Sequence, residues 1–231
     1  MVASSAPRQL VLALPHAESF AREDFLAGPS NAAALKLIER WPDWPAPVVA
    51  LVGPEGSGKS HLATIWAALS GARVLSARLL GEADLPAAFA TGALVVEDLE
   101  PGNVDERALF HLLNLAREEG AYVLVTSRVA PAGFKVDIRD LASRLRALPV
   151  VTLDAPDDEL LRAVIVKLAA DRQIAVDRAL VNYLATRIER SFAAARAAVA
   201  RLDEEAMRQH RPVTRALAAQ LFNDPVGIDG A

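Results

Sequence analysis

The stretch Gly53-Pro54-Glu55-Gly56-Ser57-Gly58-Lys59-Ser60 constrains this chain more than any other. It satisfies the pattern G-x-x-x-x-G-K-[ST] at every fixed position. Its flanks agree with it. Val48-Val49-Ala50-Leu51-Val52 before it is a short apolar run that reads as a buried strand. His61 to Leu69 after it are good helix formers, with Gly71 placed as a C-cap. Strand, glycine loop and helix together aim backbone N–H groups and a helix N-terminus at a phosphate chain. In that arrangement Lys59 reaches the β- and γ-phosphates and the Ser60 hydroxyl is a ligand for Mg²⁺.

The 231 residues suffice for one large domain, or for one domain and a small second one. Apolar residues make up 52% of the chain, enough for a sizeable core. The net charge of −4 argues against an extended basic surface for non-specific DNA binding. With no cysteine there is no disulfide framework, thiolate zinc site or cysteine nucleophile. His16, His61, His111 and His210 show no metal-ligand spacing. No apolar run approaches the ~18 residues of a membrane span, and Leu10–Leu14 stops at Pro15, too short for a signal-peptide core. A cytoplasmic protein without membrane contact is expected.

Four segments follow from the order of elements. Residues 1–15 form a tail containing the apolar piece Gln9-Leu10-Val11-Leu12-Ala13-Leu14, which the bracketing Pro7 and Pro15 keep extended. Such a piece either adds to its own domain or lies in a partner's groove. Residues 16–154 alternate strand and helix patterns, with strands at 48–52, 72–76, 93–96, 122–125 and 150–153. This predicts a parallel sheet of five strands covered on both faces. Ser30 or Asn31 is placed to cap a helix over 32–40. Residues 155–223 carry only helical patterns, over 157–172, 177–189, 192–209 and 214–222. Residues 224–231 have the composition of a loose tail.

Glu97 and Asp98 close the third strand. Beside a phosphate loop, one carboxylate there orients Mg²⁺ and its neighbour polarises an attacking water. Thr126-Ser127 at the end of the fourth strand offers a weaker hydroxyl signal near the γ-phosphate. Arg144 lies on a short basic helix before the fifth strand, and Arg190 opens a later helix. A guanidinium is permanently charged and bidentate, suited to a transferring phosphoryl group. Both are equally compatible with surface positions.

The Phe20–Asn31 segment, the loop with His61-Leu62 after it, the acidic strand end, Asp140-Leu141-Ala142-Ser143-Arg144-Leu145 and the helical tail together resemble the bacterial replication initiator family DnaA. The resemblance is closer to its shorter regulatory branch, the Hda-type inactivators, and covers residues 9–222. It implies an α/β AAA+ P-loop NTPase with a small all-helical lid and ADP or ATP with Mg²⁺ held between them. It places the cofactor at Gly53, Pro54, Glu55, Gly56, Ser57, Gly58, Lys59, Ser60, His61, Phe25 and Leu26, the last two near the adenine, with Arg190 reaching in from the lid. Ser60 and Glu97 would serve the metal and Asp98 the water. Arg144 would be an arginine finger acting on ATP held by DnaA. Gln9, Leu10, Leu12 and Leu14 would dock on the sliding clamp, the beta subunit of DNA polymerase III. DNA is then met only indirectly, and a homodimer stays open.

Two positions depart from the family pattern: Glu97 and Arg128 stand where it carries aspartate. Weak intrinsic hydrolysis follows. The alternatives are an autonomous AAA+ ATPase that loads DNA or a helicase, and a small-molecule kinase, which would leave the helical tail and Ser143-Arg144-Leu145 unexplained.

Overall fold

The structure, a computed structural model, describes residues 20–222. The clamp-like peptide Gln9–Leu14 and the tail at 224–231 lie outside them. Five parallel strands form one sheet: β1 (Val48–Val52), β2 (Arg73–Ser76), β3 (Ala93–Glu97), β4 (Tyr122–Ser127) and β5 (Val150–Thr152). Their spatial order is β2-β3-β4-β1-β5. All five residues of β1 are buried, as its continuous apolar run predicts for a strand covered on both faces.

Alternation along the strands divides the core into two layers. Val49 and Leu51 face α1 (Ala32–Glu39) and α2 (Lys59–Ser70), meeting Ile38, Leu62, Ile65 and Trp66. Val48, Ala50 and Val52 face the other layer. There α3 (Leu85–Ala88), α4 (Glu106–Glu119) and α5 (Arg139–Ala147) contribute Leu85, Leu109, Leu112, Leu141 and Leu145. A third cluster lies among α6 (Asp158–Asp171), α7 (Arg178–Ala185), α8 (Phe192–Gln209) and α9 (Arg215–Phe222). It is built on Leu161, Ile165, Leu184, Val199, Leu202 and Leu217. No helix among the described residues is long and apolar enough to cross a membrane.

The helix starts follow capping chemistry. Asp105, Asp157, Asp177 and Ser191 each accept a backbone N–H of the turn they precede, satisfying donors that a helix leaves open. Gly71 and Gly120 end α2 and α4 in the left-handed conformation. Two local expectations change. Asn31 stands at the N-cap of α1 but makes no cap bond. Its Oδ1 accepts from Gly28 N and its Nδ2 donates to the Leu26 carbonyl, at 2.9 and 3.0 Å. The side chain therefore pins the preceding turn, and with it Phe25 and Leu26. The helix expected over 177–189 stops at Ala185, where the Thr186 hydroxyl donates to the Asn182 and Tyr183 carbonyls and Arg187 N turns back to Leu184.

Candidate phosphate-binding site

The loop leaves the C-terminal end of β1, where α/β sheets open their crevices. Gly53 N donates to the Ser127 carbonyl at 3.1 Å, tying the loop to β4. A Cβ on Gly53 would lie 2.3 Å from the Leu153 carbonyl oxygen, so only glycine fits against β5. Gly58 has φ +96° and opens α2 from the left-handed region. Lys59 is buried, and its Nζ donates to the Gly53 and Pro54 carbonyls, both at 2.8 Å. Burial pushes the Lys59 pKa below its ordinary value; Asp98, Glu100 and Glu55 oppose the shift and Arg128 adds to it.

The acidic strand end lies beside this loop. Asp98 has φ +57°, a conformation Asp tolerates better than most residues. Its N–H donates to Thr126 Oγ1, and its carbonyl accepts from Asn103 Nδ2. The Ser127 hydroxyl donates to the Val129 carbonyl at 2.6 Å. The hydroxyls at this strand end are thus already engaged, Thr126 with the end of β3 and Ser127 in a local turn. Buried Ser57 Oγ and Glu97 Oε1 have no hydrogen-bond partner. Ser57 Oγ belongs to the loop and Glu97 Oε1 to the end of β3; an orphaned hydroxyl and an orphaned carboxylate oxygen at this end of the sheet fit a phosphate and its Mg²⁺. Among the described residues no group of three His, Cys, Asp or Glu side chains holds a metal by itself. A cation here would draw on Ser60, Glu97 and phosphate oxygens.

From α8, Phe192 N donates to the Gly56 carbonyl at 2.9 Å. A Cβ on Gly58 would lie 3.4 Å from the Phe192 ring and 3.6 Å from the Phe25 ring. Beside this contact a cavity is lined by Phe25, Leu26, His61, Lys167, Phe192 and Arg196, among others. His61 stands edge-on to both Phe20 and Phe25, at 5.2 and 5.1 Å between ring centroids. Burial lowers its pKa, against a backbone contact with the Ala21 carbonyl. Lys167 bridges Asp24 and Asp171 at 2.6 and 2.8 Å. Burial works against the Lys167 charge, but bonds to Asp171 and Asp24 outweigh it and raise the pKa.

The structure therefore brings Phe25, Leu26, Gly58, His61 and the rest of the loop together. It holds Arg190 outside that cavity, 63% exposed and paired with Asp158 at 2.7 Å. Lys167, Phe192 and Arg196 escaped the sequence reading. A signal existed for the last: Arg196 is the one charge in an alanine-rich stretch, four residues after Phe192 and so on the same helix face.

Arg144 stands elsewhere. Its guanidinium carbon sits 5.2 Å from the centre of the Phe110 ring. It lines a shallow apolar hollow with Pro47, Val48, Leu113, Arg117 and Leu148, at the N-terminal end of β1.

No protein-family model matches the chain. The chromosomal replication initiator protein DnaA 2 of Chlamydia caviae is 25% identical over 190 residues, which are 70% of this chain and 41% of that protein. The chain thus spans under half the length of that curated relative. Domain III of Thermotoga maritima DnaA superimposes with a TM-score of 0.72 at 20% identity, over 89% of this chain and 96% of that one. A DnaA bound to AMPPCP and single-stranded DNA gives 0.67 at 18% identity, over 83% and 68%. The Thermotoga maritima RuvB branch migration motor gives 0.70 at 18%, over 89% and 72%. With its five-stranded parallel sheet and phosphate loop, the chain has the fold of a DnaA-like AAA+ domain.

Proposed function

We propose that this protein is a nucleotide-binding AAA+ regulator of replication initiation, of the Hda type. Residues 16–154 form its nucleotide domain and residues 155–223 its lid. The backbone N–H groups of the loop, Lys59, Ser60 and Glu97 hold the phosphates of ADP or ATP with Mg²⁺. Phe25, Leu26, His61 and Arg196 border the base side, and Arg190 needs to leave Asp158 to take part. When bound, Mg²⁺ supplies charge neutralisation of the phosphates. The chain's own residues position the nucleotide, and hydrolysis of it is weak. The protein works in the cytoplasm, docks on the sliding clamp through Gln9, Leu10, Leu12 and Leu14, and lends Arg144 to ATP held by DnaA.

The observation that carries this reading is the position of Arg144. It stands beside Val48, five residues of extended strand before Gly53. That is about 16 Å along the sheet from the chain's own loop. A permanently charged fork at that end serves a triphosphate presented by another molecule, as arginine fingers do. Turnover of DnaA-bound ATP, with clamp loaded on DNA, tests the reading. Arg144→Ala is expected to abolish the stimulation while nucleotide binding by the chain persists. Stimulation equal to the parent's would sink it.

The orphaned Glu97 Oε1 favours a second reading, an autonomous ATPase motor or loader. That reading requires appreciable turnover by the purified chain alone, lost in Lys59→Ala.

A further inference from the structure

Arg128 leaves β4 directly beside the phosphate loop, and its side chain returns over that loop. One end of its guanidinium, Nη2, meets Glu55 Oε2 at 3.0 Å; Nε lies 3.7 Å from Glu100 Oε1. Its backbone N–H also donates to Glu100 Oε1, at 3.1 Å. Glu55 belongs to the loop itself, and Arg128 acts electrostatically on Lys59, the loop's own cation. A second cation therefore hangs over the cradle, restrained by a carboxylate of the cradle.

The two restraints differ. The Glu100 side chain is 25% exposed and also receives the Arg128 backbone N–H, so it fixes the root of the arginine. The Glu55 side chain is 75% exposed and holds only the tip. An exposed ion pair is weak and easily exchanged. A phosphate oxygen takes a guanidinium fork in a shorter, stronger, charge-assisted bond. Glu55 and the outermost phosphate thus compete for one guanidinium.

We propose that Arg128 is a phosphate-counting residue: it exchanges Glu55 for the terminal phosphate of a nucleoside triphosphate and has nothing to exchange for in a diphosphate. Glu55 sets how readily the exchange occurs. This rests on the nucleotide-binding part of the reading above and adds to it a means of telling ATP from ADP. Both side chains are more than half exposed, so neither substitution threatens the core.

Titration of the full chain with fluorescent analogues of ADP and of a non-hydrolysable ATP, in Mg²⁺, tests this. Arg128→Ala is expected to weaken the triphosphate about tenfold and the diphosphate little. Glu55→Gln is expected to tighten the triphosphate, the opposite sign. In Arg128→Ala the further change Glu55→Gln should then do nothing. Arg128→Lys, which keeps the charge and loses the fork, should recover part of the preference. Equal effects on the two nucleotides, or effects of the same sign from both single variants, overturn the inference and leave nucleotide binding standing. Failure of the parent and every variant to bind either analogue overturns both.

Discussion

At the C-terminal end of β1, Lys59 donates to two carbonyls of its own loop and Arg128 is tied to Glu55 and Glu100. At the N-terminal end, Arg144 lies over the face of Phe110, and among the described residues no carboxylate pairs with it. The same strand therefore separates cations of two kinds. Those at the loop already have oxygen partners, backbone carbonyls for Lys59 and carboxylates for Arg128, with which an incoming phosphate must compete. The one at the far end is half-buried over an aromatic face, an interaction worth about 0.5–2 kcal/mol depending on how far it is desolvated. That is enough to orient a guanidinium and too little to keep it from an anion.

Breaking the far end alone has the largest expected effect. Under the proposed function, Arg144→Ala should lower stimulation of DnaA-bound ATP hydrolysis by about a thousandfold. Nucleotide affinity of the chain, read by fluorescence titration, should stay at the parent's value. If affinity falls with it, the two ends are not independent and the comparison fails.

Breaking the near end works through packing. A Cβ at Gly53 meets the Leu153 carbonyl at 2.3 Å, and backbone cannot yield as a side chain would. Gly53→Ala should cost about 1–3 kcal/mol in urea unfolding and displace the loop from β5, with loss of nucleotide binding. A stability equal to the parent's would show that β5 can draw back from the loop.

The far end can be sharpened without touching Arg144. The Glu106 carboxylate, at the start of α4, accepts the backbone N–H groups of Asp137 and Ile138 just before α5. One turn on, Phe110 carries the guanidinium. One helix thus anchors both the start of α5 and the tip of Arg144. Glu106→Ala should cost about 1 kcal/mol, as loss of a cap does, and should reduce stimulation while leaving nucleotide affinity alone. A fall in affinity instead would assign Glu106 to the loop end.

What the sequence revealed follows the reach of its signals. The loop, the five strands and the helix caps are written in neighbouring residues: an apolar run, a glycine with φ above zero, an aspartate three residues before the N–H it accepts. Residues 177–189 misled because the helical pattern continued past Ala185, where the Thr186 hydroxyl bonds back to the carbonyls of Asn182 and Tyr183. Lys167 with Asp24, and Arg128 with Glu55, are pairs between segments far apart in the chain. No local period encodes them, since they exist only once the sheet order has brought those segments together. Asn31 lies between these cases. Its residue type announced a cap, but its side chain instead accepts from Gly28 N and donates to the Leu26 carbonyl, bonding back to the turn before the helix.

The smallest effect concerns the wall between loop and helices. His61 is flanked edge-on by Phe20 and Phe25, and burial holds its pKa below the ordinary 6.5. As pH falls below about 6.5, the unfolded chain binds a proton there that the folded chain refuses. Stability is therefore whole above that pH and declines toward the depressed folded value. His61→Phe keeps an aromatic ring in the gap and removes the titrating group. The difference in unfolding midpoint between pH 7.5 and pH 5.5 should then be smaller than in the parent. The Phe side chain forgoes the contact with the Ala21 carbonyl, so a uniform loss across all pH is compatible with this and only the slope is diagnostic. An unchanged slope would mean that the folded ring accepts the proton, and that water reaches the loop from the side on which Phe25 and Phe20 close it.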